Sequence, residues 1–329
     1  MAKKKAAKKK TGQRSPQKTD GTKINLRTNL IKALAGIFFL AVMVVLAGYF
    51  IQTYFPLASF QPAKPAEPKP TGRTRPKQSV PAYEIYTGHD RTVPSDRVVR
   101  KPAPGDLPRV ALIIDDFGYD SIIARKFSEL GVEITFSILP YSPQRAKIAR
   151  VAHEKNFEIM LHLPLEPVEY PRVDPGEGVL LAAMSPDMLI EQLKLDLDSV
   201  PYIRGVNNHM GSRVTTMSTK MYQIFSILKK RELFFIDSRT SKDSLCKPSA
   251  RLLKIPFGER DVFLDHSDSP DAIRKQLRRL VRVAQRQGQA IGIGHPHKST
   301  YRVLAEELPG IKSQVRFVKA SSIVEIIGD

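Results

Sequence analysis

From residue 108 onward, short apolar runs alternate with amphipathic stretches, and this alternation restricts the chain to a small set of folds. The runs RVALIID, EITFSIL and FEIMLHL are typical of strands buried on both faces, and stretches such as PQRAKIARVAHEKN have helical spacing. Strands that alternate with helices pair in parallel through right-handed crossovers. The pattern therefore predicts an α/β fold: a distorted (β/α)7-type barrel of mostly parallel strands, with an open doubly wound sheet as the alternative.

Residues 33–51 form an uncharged apolar run, ALAGIFFLAVMVVLAGYFI. As a helix this run spans about 28 Å, close to the hydrocarbon thickness of a bilayer. Lys32 closes one end, and Tyr49 and Tyr54 lie at the other, where aromatic rings prefer the interface. We therefore expect a single transmembrane anchor at 33–51. A buried core helix and a cleaved signal peptide are the alternatives.

The segments on either side of the predicted anchor differ in composition. Residues 1–32 hold 11 Lys and Arg and one acidic residue, which predicts a basic cytoplasmic tail. Residues 52–107 are rich in proline, which predicts a semi-rigid linker. The expected arrangement is a single-pass protein of the inner (cytoplasmic) membrane, with a periplasmic or extracytoplasmic domain at 108–329.

The formal charge of +19 is concentrated outside the predicted domain. Residues 1–32 have a net charge of +10, residues 52–107 of +4, and residues 108–329 of +5, from 32 basic and 27 acidic side chains. A nucleic-acid-binding domain is expected to be strongly basic and to carry aromatic stacking positions. This distribution argues against nucleic acid as the partner.

Polar residues follow the apolar strands at the point where each strand ends. The side chains in this position are Asp115, Asp116, His162, His209, Asp237, Arg239 and His295. Because the carboxyl ends of parallel strands share one face of an α/β fold, these side chains are expected to converge there. Asp and His are familiar ligands of zinc, and a second carboxylate beside them can act as a general base.

Five motifs in order along the chain resemble the divergent polysaccharide deacetylase family. They are IIDDFG at 113–118, MLHLPLEP at 160–167, NNHMGS at 207–212, FIDSRT at 235–240 and GIGHPH at 292–297. The family is a distant relative of the NodB-homology polysaccharide deacetylases, which have a distorted (β/α) barrel and remove acetyl groups from N-acetylated sugars. The resemblance covers about residues 108–328 and leaves out the tail and the linker.

The resemblance implies roles for the paired aspartates and for two histidines. It makes Asp115 the general base, Asp116 and His162 ligands of a divalent metal, and His295 the general acid. The ligand types favour zinc as that metal. The related enzymes have a second histidine four residues after the first, but Glu166 stands at that position here. We expect His209 to be the missing ligand, with Glu166 as the fallback.

Asp237 and Arg239 complete the expected site. Asp237 is expected to orient His295, and Arg239 to bind an oxyanion or a sugar carboxylate. His297 lies two residues beyond His295, but the intervening Pro296 favours a turn. His266 has no motif support and is expected at the surface.

Two functions remain open at this stage. The first is a metal-dependent hydrolase that N-deacetylates a cell-envelope polysaccharide or peptidoglycan. The second is a non-catalytic glycan-binding or scaffolding protein with a degenerate deacetylase site, which the departure at Glu166 keeps open.

Overall fold

The computed structural model describes residues 34–35, 37–46 and 105–328. The chain divides into two compact units, Met1–Pro76 and Lys77–Asp329. In the first unit, residues 34–35 and 37–46 are helical and exposed. Among the described residues, no helix has both the length and the hydropathy needed to cross a membrane. The predicted basic tail, the remainder of the predicted anchor and most of the predicted linker lie outside the described residues.

The second unit is built from ten strands and seven α-helices among its described residues. The strands are β1 (Arg109–Phe117), β2 (Thr135–Ile138), β3 (Glu158–Leu165), β4 (Gly205–Met210), β5 (Phe234–Asp237), β6 (Pro256–Glu259), β7 (Val262–Phe263), β8 (Gln289–Gly294), β9 (Arg316–Phe317) and β10 (Glu325–Ile326). The helices are α1 (Ser121–Ser128), α2 (Arg145–Glu154), α3 (Pro186–Ser199), α4 (Ser218–Lys230), α5 (Cys246–Leu253), α6 (Pro270–Gln287) and α7 (Lys298–Ile311).

All ten strands belong to one curled sheet with the order β10-β6-β5-β4-β3-β2-β1-β8-β7, and β9 pairs with β1. Every pair is parallel except β10 with β6. From β6 to β1 the order follows the chain without the reversal that defines a doubly wound sheet. The prediction of a mostly parallel, barrel-like α/β fold is therefore confirmed, and the doubly wound alternative is wrong.

The sheet differs from a closed seven-stranded barrel at one place. β6 and β7 stand towards opposite ends of the strand order, yet only residues 260 and 261 separate them in the chain. The backbone N–H of Arg260 donates to Asp237 at the end of β5, and that of Asp261 donates to Ile291 on β8. Because β6 and β7 do not pair with each other among the described residues, the sheet is a curled half-barrel.

Period-two alternation divides the apolar side chains into two cores. The large outer core lies between the sheet and the helices. The smaller core fills the concave side of the sheet, where Ala111 and Ile113 of β1 pack with Met160 of β3 and Ile291 of β8. Side chains that continue this inner register towards the carboxyl ends of the strands therefore point into the mouth of the half-barrel.

The C-terminal segment covers the opposite mouth. Ala320 and Ile323 belong to the inner core. The Ala320 N–H donates to Thr135 Oγ1 on β2, the Ser321 N–H donates to Glu158 Oε2 on β3, and the Ile323 carbonyl accepts from Gln289 on β8. These contacts are made at the amino ends of the strands, so within residues 105–328 the mouth at the carboxyl ends is the one left uncovered by this segment.

A buried carboxyl group on α3 makes the stability of the domain depend on pH. Asp196 is fully buried, and its contacts are with Gln192 and Tyr141. Burial is the main influence on its pKa and raises it to about 7 from 3.8, although both hydrogen bonds act to lower it. As pH rises from 4 to 8 the unfolded chain ionises first, so this residue makes the folded state progressively less stable.

We expect Asp196→Asn to raise the free energy of unfolding relative to the native chain. The increase should be about 2 kcal/mol larger at pH 8 than at pH 4. The amide ionises in neither state, so the benefit grows as the Asp196 carboxyl of the unfolded native chain ionises, between its unfolded pKa of 3.8 and its folded pKa of about 7. Urea titrations at both pH values measure the difference. Glu191→Gln, an exposed change on the same helix, is the matched control. An equal effect of Asp196→Asn at both pH values would contradict the prediction.

Candidate metal centre and active site

A β-bulge at the end of β1 turns both paired aspartates towards the mouth of the half-barrel. Asp115 and Asp116 of β1 stand opposite the single residue Ser137 of β2. Asp116 has a φ of +55°, a left-handed conformation that non-glycine residues seldom adopt. The bulge returns Phe117 to the outer core, where simple alternation would have pointed it inward. Without the bulge only one of the two carboxylates would face the site.

Asp116, His162 and His209 converge on one point from three different strands. Asp116 Oδ1 lies 3.2 Å from His162 Nε2 and 3.1 Å from His209 Nδ1, and the two nitrogens are 3.1 Å apart. His162 continues the inner register of Met160, and His209 lies on β4, which neighbours β3. The expected ligand set is therefore brought together in the structure.

The three atoms meet the requirements of a cation site. Asp116 Oδ1 is buried, and within the described residues it forms no hydrogen bond, although two imidazole nitrogens lie close to it. A tetrahedral zinc ion with bonds of about 2.0–2.1 Å keeps its ligands about 3.3 Å apart, close to the edges of this triangle. Burial acts to raise the pKa of Asp116, but the imidazoles of His209, His162 and His295 outweigh it and hold that pKa well below its usual value.

Asn207, on β4, contacts both the ligand triangle, formed by Asp116, His162 and His209, and the expected general base, Asp115. Its Oδ1 accepts from Ser137 Oγ (2.6 Å) and lies 3.0 Å from His162 Nδ1. Its Nδ2 donates to Asp115 Oδ1 (2.8 Å) and Ser238 Oγ (3.2 Å). Since the amide nitrogen faces a carboxylate, the amide oxygen must face the imidazole, and His162 Nδ1 then carries the proton. The lone pair of Nε2 is thereby directed at the cation position.

Asp115 and His295 flank the triangle. Asp115 Oδ2 lies 3.6 Å from His162 Nε2, and His295 Nε2 lies 4.0 Å from Asp116 Oδ2. Both side chains continue inward-facing positions of their strands, after Ile113 on β1 and Ile293 on β8. The expected base and the expected acid therefore lie beside the same three ligands.

Asp265, just after β7, holds His295 in place. Its Oδ1 is 3.0 Å from His295 Nδ1, and its Oδ2 accepts from the His295 backbone N–H and from Thr300 Oγ1, both at 2.6 Å. Burial acts to lower the pKa of His295, but Asp265, followed by Asp116 and Asp115, raises it to about 9. The imidazole is therefore protonated at neutral pH, with Nε2 directed towards the triangle.

Asp237 was expected to orient His295, and the structure corrects this. Phe234 and Ile236 of β5 belong to the inner core, so alternation places Asp237 on the outer face with Phe235. There its carboxylate accepts from Ser244 Oγ and from the backbone of Arg239. Asp237 is buried but lies on the wrong face of its strand to contact the imidazole.

Arg239 also forms its ion pair outside the mouth of the half-barrel. Its Nη1 lies 2.7 Å from Glu259 Oε1. The guanidinium that lines the mouth belongs to Arg260, which donates to the carbonyl of Ser238 and lies 5.0 Å from the ring centre of Phe263. Arg260, rather than Arg239, is therefore the cation placed to contact an oxyanion.

The carboxylate of Glu166, the expected fallback ligand, bonds to partners outside the ligand triangle. Its Oε2 accepts from the Ala182 backbone N–H (2.6 Å), and its Oε1 pairs with Arg213 Nη1 (2.8 Å). The same residue's carbonyl accepts from the backbone N–H groups of Arg213 and Val214. Hydrogen bonds of Glu166 therefore link the segment after β3 to the segment after β4.

A second cluster of ligand types surrounds the acid. Asp265, His295 and His297 have side-chain atoms close enough to hold an ion. However, Asp265 Oδ1 and His295 Nδ1 are already bonded to each other. His297 precedes α7 and stacks on His295 at 5.8 Å between ring centres, in agreement with the turn predicted at Pro296.

Sequence reasoning missed three residues of the site, and two of them left a usable signal. Asn207 belongs to the motif NNHMGS, in which His209 alone was assigned a role. Asp265 follows the short apolar run VFL at the same strand-end position as the other acids, next to exposed His266. Arg260 lies in a two-residue link between strands, and no local pattern marks it.

Comparisons with known proteins assign the chain to a family. The sequence profile of the divergent polysaccharide deacetylase family matches residues 112–324. The chain is 33% identical over 216 residues to the uncharacterised protein YibQ of Escherichia coli strain K12, covering 66% of this chain and 67% of that one. It is 29% identical over 210 residues to an uncharacterised protein of Haemophilus influenzae, covering 64% and 74% of the two chains.

A solved structure has a similar fold. The uncharacterised protein ATU2773 of Agrobacterium tumefaciens C58 superposes with a TM-score of 0.64 at 27% identity, and the match covers 68% of this chain and 92% of that chain. The matched family region contains the strands that carry the bulge, the ligand triangle and the Asp265–His295 pair. This chain belongs to the divergent polysaccharide deacetylase family.

Proposed function

We propose that this protein is a metal-dependent hydrolase that removes acetyl groups from the N-acetylated sugars of a cell-envelope glycan. The observation that carries the proposal is the placement of the buried Asp115 carboxylate and the His295 imidazole beside one triangle of ligand atoms. Asp115 and His295 belong to β1 and to the end of β8, which pair directly, so a substrate amide at the mouth can contact both. The overall reaction adds water across the amide C–N bond and yields acetate and a free amine.

Asp116, His162 and His209 are the residues that would hold a divalent cation. Two imidazoles and a carboxylate favour zinc, which also accepts an open fourth position. A cation bound there supplies Lewis-acid polarisation of the substrate carbonyl. The metal preference therefore rests on the chemistry of the donor set.

The proton transfers belong to the two flanking side chains. Asp115, oriented by the Asn207 amide, accepts a proton from the attacking water. His295 donates its Nε2 proton to the departing amine, and its raised pKa keeps that proton available at neutral pH. Arg260 and the ring of Phe263 form part of the wall that the sugar would contact.

We expect Asp265→Asn to lower kcat by about 100-fold or more while KM changes little. An amide nitrogen facing Nδ1 forces His295 into the other tautomer and removes the charge that keeps the imidazole protonated. Steady-state kinetics on a chitooligosaccharide measures the split between kcat and KM. Thr300→Val is the matched control, since it removes a hydrogen bond to the same carboxylate but leaves its charge. An unchanged kcat in Asp265→Asn would show that His295 is not the general acid.

The uncharged run at 33–51 supports a membrane anchor, and the basic residues before it support export of the domain. The proline-rich linker would then hold the domain away from the bilayer, within reach of a polymeric substrate. A phosphatase fused after residue 329 reports the topology. Phosphatase activity confined to the cytoplasm would refute this arrangement.

Acetate release tests the activity itself. Purified full-length protein loaded with zinc is incubated with chitooligosaccharide and, separately, with peptidoglycan, and free acetate is measured against chelator-treated protein. We expect metal-dependent release from at least one of the two. If neither polymer yields acetate although both bind, the non-catalytic glycan-binding function replaces the hydrolase.

A further inference from the structure

Helix α6 carries the entire excess charge of the folded region. Residues 108–329 contain 32 basic and 27 acidic side chains, and Pro270–Gln287 alone holds six of the basic residues and one acidic residue. The rest of the region therefore contains 26 of each and is balanced. A uniform surface excess would be spread over seven helices, so its confinement to one of them requires an explanation.

Four of these cations form a single line along the exposed side of α6. They are Lys275, Arg278, Arg282 and Arg286, which we term the basic strip, and all four are exposed. At 100° per residue they occupy an arc of about 80°, and they extend about 16 Å along the axis. The opposite side of the helix is buried in the outer core through residues such as Leu277, Leu280 and Ala284.

The basic strip has no counter-charge in its own fold. Within residues 105–328, none of its four side chains forms a hydrogen bond or an ion pair. Arg274, the residue immediately before Lys275, shows the contrast, because it pairs with Asp271, Glu306 and Glu307. Like charges three and four residues apart repel and destabilise a helix. Intramolecular stability therefore does not explain the strip.

The position of the strip relates it to the candidate active site. α6 packs against β7 and β8, the strands that lead to Asp265 and His295. Because α6 follows β7, it starts near the carboxyl ends of the strands and runs towards their amino ends. Lys275 is thus the member nearest the mouth and Arg286 the farthest, so a polymer leaving the mouth can follow the line.

We propose that the basic strip binds an anionic glycan, a polymer with carboxylates along its length, and extends the substrate contact beyond the mouth. This inference rests on the proposed function for the identity of the polymer. A linear array with about one cation per helical turn fits a chain of repeated anionic units. No large exposed apolar side chain lies on α6 among the described residues, so nothing there would insert into a bilayer.

The test compares two quadruple variants of the full-length protein in binding assays without turnover. The strip variant is Lys275→Gln, Arg278→Gln, Arg282→Gln and Arg286→Gln. The matched control removes four exposed cations scattered on other helices: Arg150→Gln, Lys194→Gln, Lys229→Gln and Lys230→Gln. The probes are polygalacturonate, its uncharged methyl ester and peptidoglycan sacculi, each at low and at high salt.

We expect the strip variant to bind polygalacturonate and sacculi at least tenfold more weakly than the native protein, and the control to change by less than threefold. The native affinity should fall with salt, and the methyl ester should not distinguish the proteins. Acetate release from a short neutral chitooligosaccharide should be unchanged in the strip variant, so failure of the hydrolase proposal and failure of this one give different results.

Three results would overturn the inference. One is an equal loss in both quadruple variants, which would indicate a net-charge effect. Another is undiminished polymer binding by the strip variant. The third is equally tight, strip-dependent binding of phosphatidylglycerol vesicles or duplex DNA, which would make the partner a membrane or a nucleic acid instead of a glycan. Thermal unfolding of both variants verifies that they are folded.

Discussion

Asp116→Asn is expected to lower the affinity of the protein for zinc by at least 100-fold and to abolish deacetylation, whereas Asp115→Asn should lower the rate of deacetylation by about 1000-fold and leave zinc affinity nearly unchanged. The two residues are adjacent, but Asp116 Oδ1 completes the ligand triangle and Asp115 is held by the Asn207 amide at its edge. An amide is a weak ligand in place of the Asp116 carboxylate. In place of Asp115, it leaves the metal ligands intact but cannot accept the proton from water.

Calorimetric titration of chelator-treated protein with zinc, together with acetate release, measures the two effects separately. Asp115→Asn should bind zinc within about threefold of the native value and lose about 1000-fold in rate. Asp243→Asn, in an exposed loop, controls for the loss of one carboxylate. Native zinc affinity in Asp116→Asn would show that the ligand triangle is assigned wrongly.

Asn207→Leu is expected to have the second largest effect, because one amide serves both halves of the site. The change removes the acceptor that fixes the tautomer of His162 and the donor that orients Asp115. Loss of such an outer hydrogen bond typically weakens metal binding by about 10- to 100-fold. Leaving several buried polar groups without a partner should also lower the free energy of unfolding by about 3 kcal/mol.

The neighbouring residue offers a matched control for this second prediction. Asn208 is also buried in β4, but its side chain bonds to the backbones of Met210 and Ser238 and to Thr240 instead of the ligands. Asn208→Leu should cost similar stability, measured by urea titration, with a much smaller loss of zinc affinity. Equal losses of zinc affinity in the two variants would show that Asn207 has a structural role only.

The convergence of the site was predictable because it depends only on strand direction. Asp115, Asp116, His162 and His295 follow apolar runs, and His209 lies near the end of the predicted strand GVNNHM. Parallel pairing brings the ends of these strands to one rim. The choice of His209 over Glu166 as the third ligand stays a prediction of the sequence, and the geometry of the triangle supports it. The membrane anchor also stays a prediction.

Asp237 shows where the same reasoning fails. The end of a strand determines which rim of the sheet a side chain reaches. The face of the sheet on which the side chain lies depends on the register of that strand, and a shift of the register by one residue moves the side chain to the other face. In β5 three apolar residues in a row, Phe234, Phe235 and Ile236, precede Asp237, so the sequence contains no alternation from which to assign the faces. Asp265 takes the role expected of Asp237 because its strand places it on the inner face.

The sequence by itself determined the mostly parallel α/β class of fold, most of its strands and helices along the chain and the set of polar residues at the strand ends, since these follow from local periodicity and from the handedness of crossovers. Only the tertiary structure decided which of those residues meet. The bulge at Asp115–Asp116, the pairing of Asp265 with His295 and the bridging amide of Asn207 all depend on register between strands distant in the chain. Local propensity carries no information about such register, and packing of both faces of the sheet selects it.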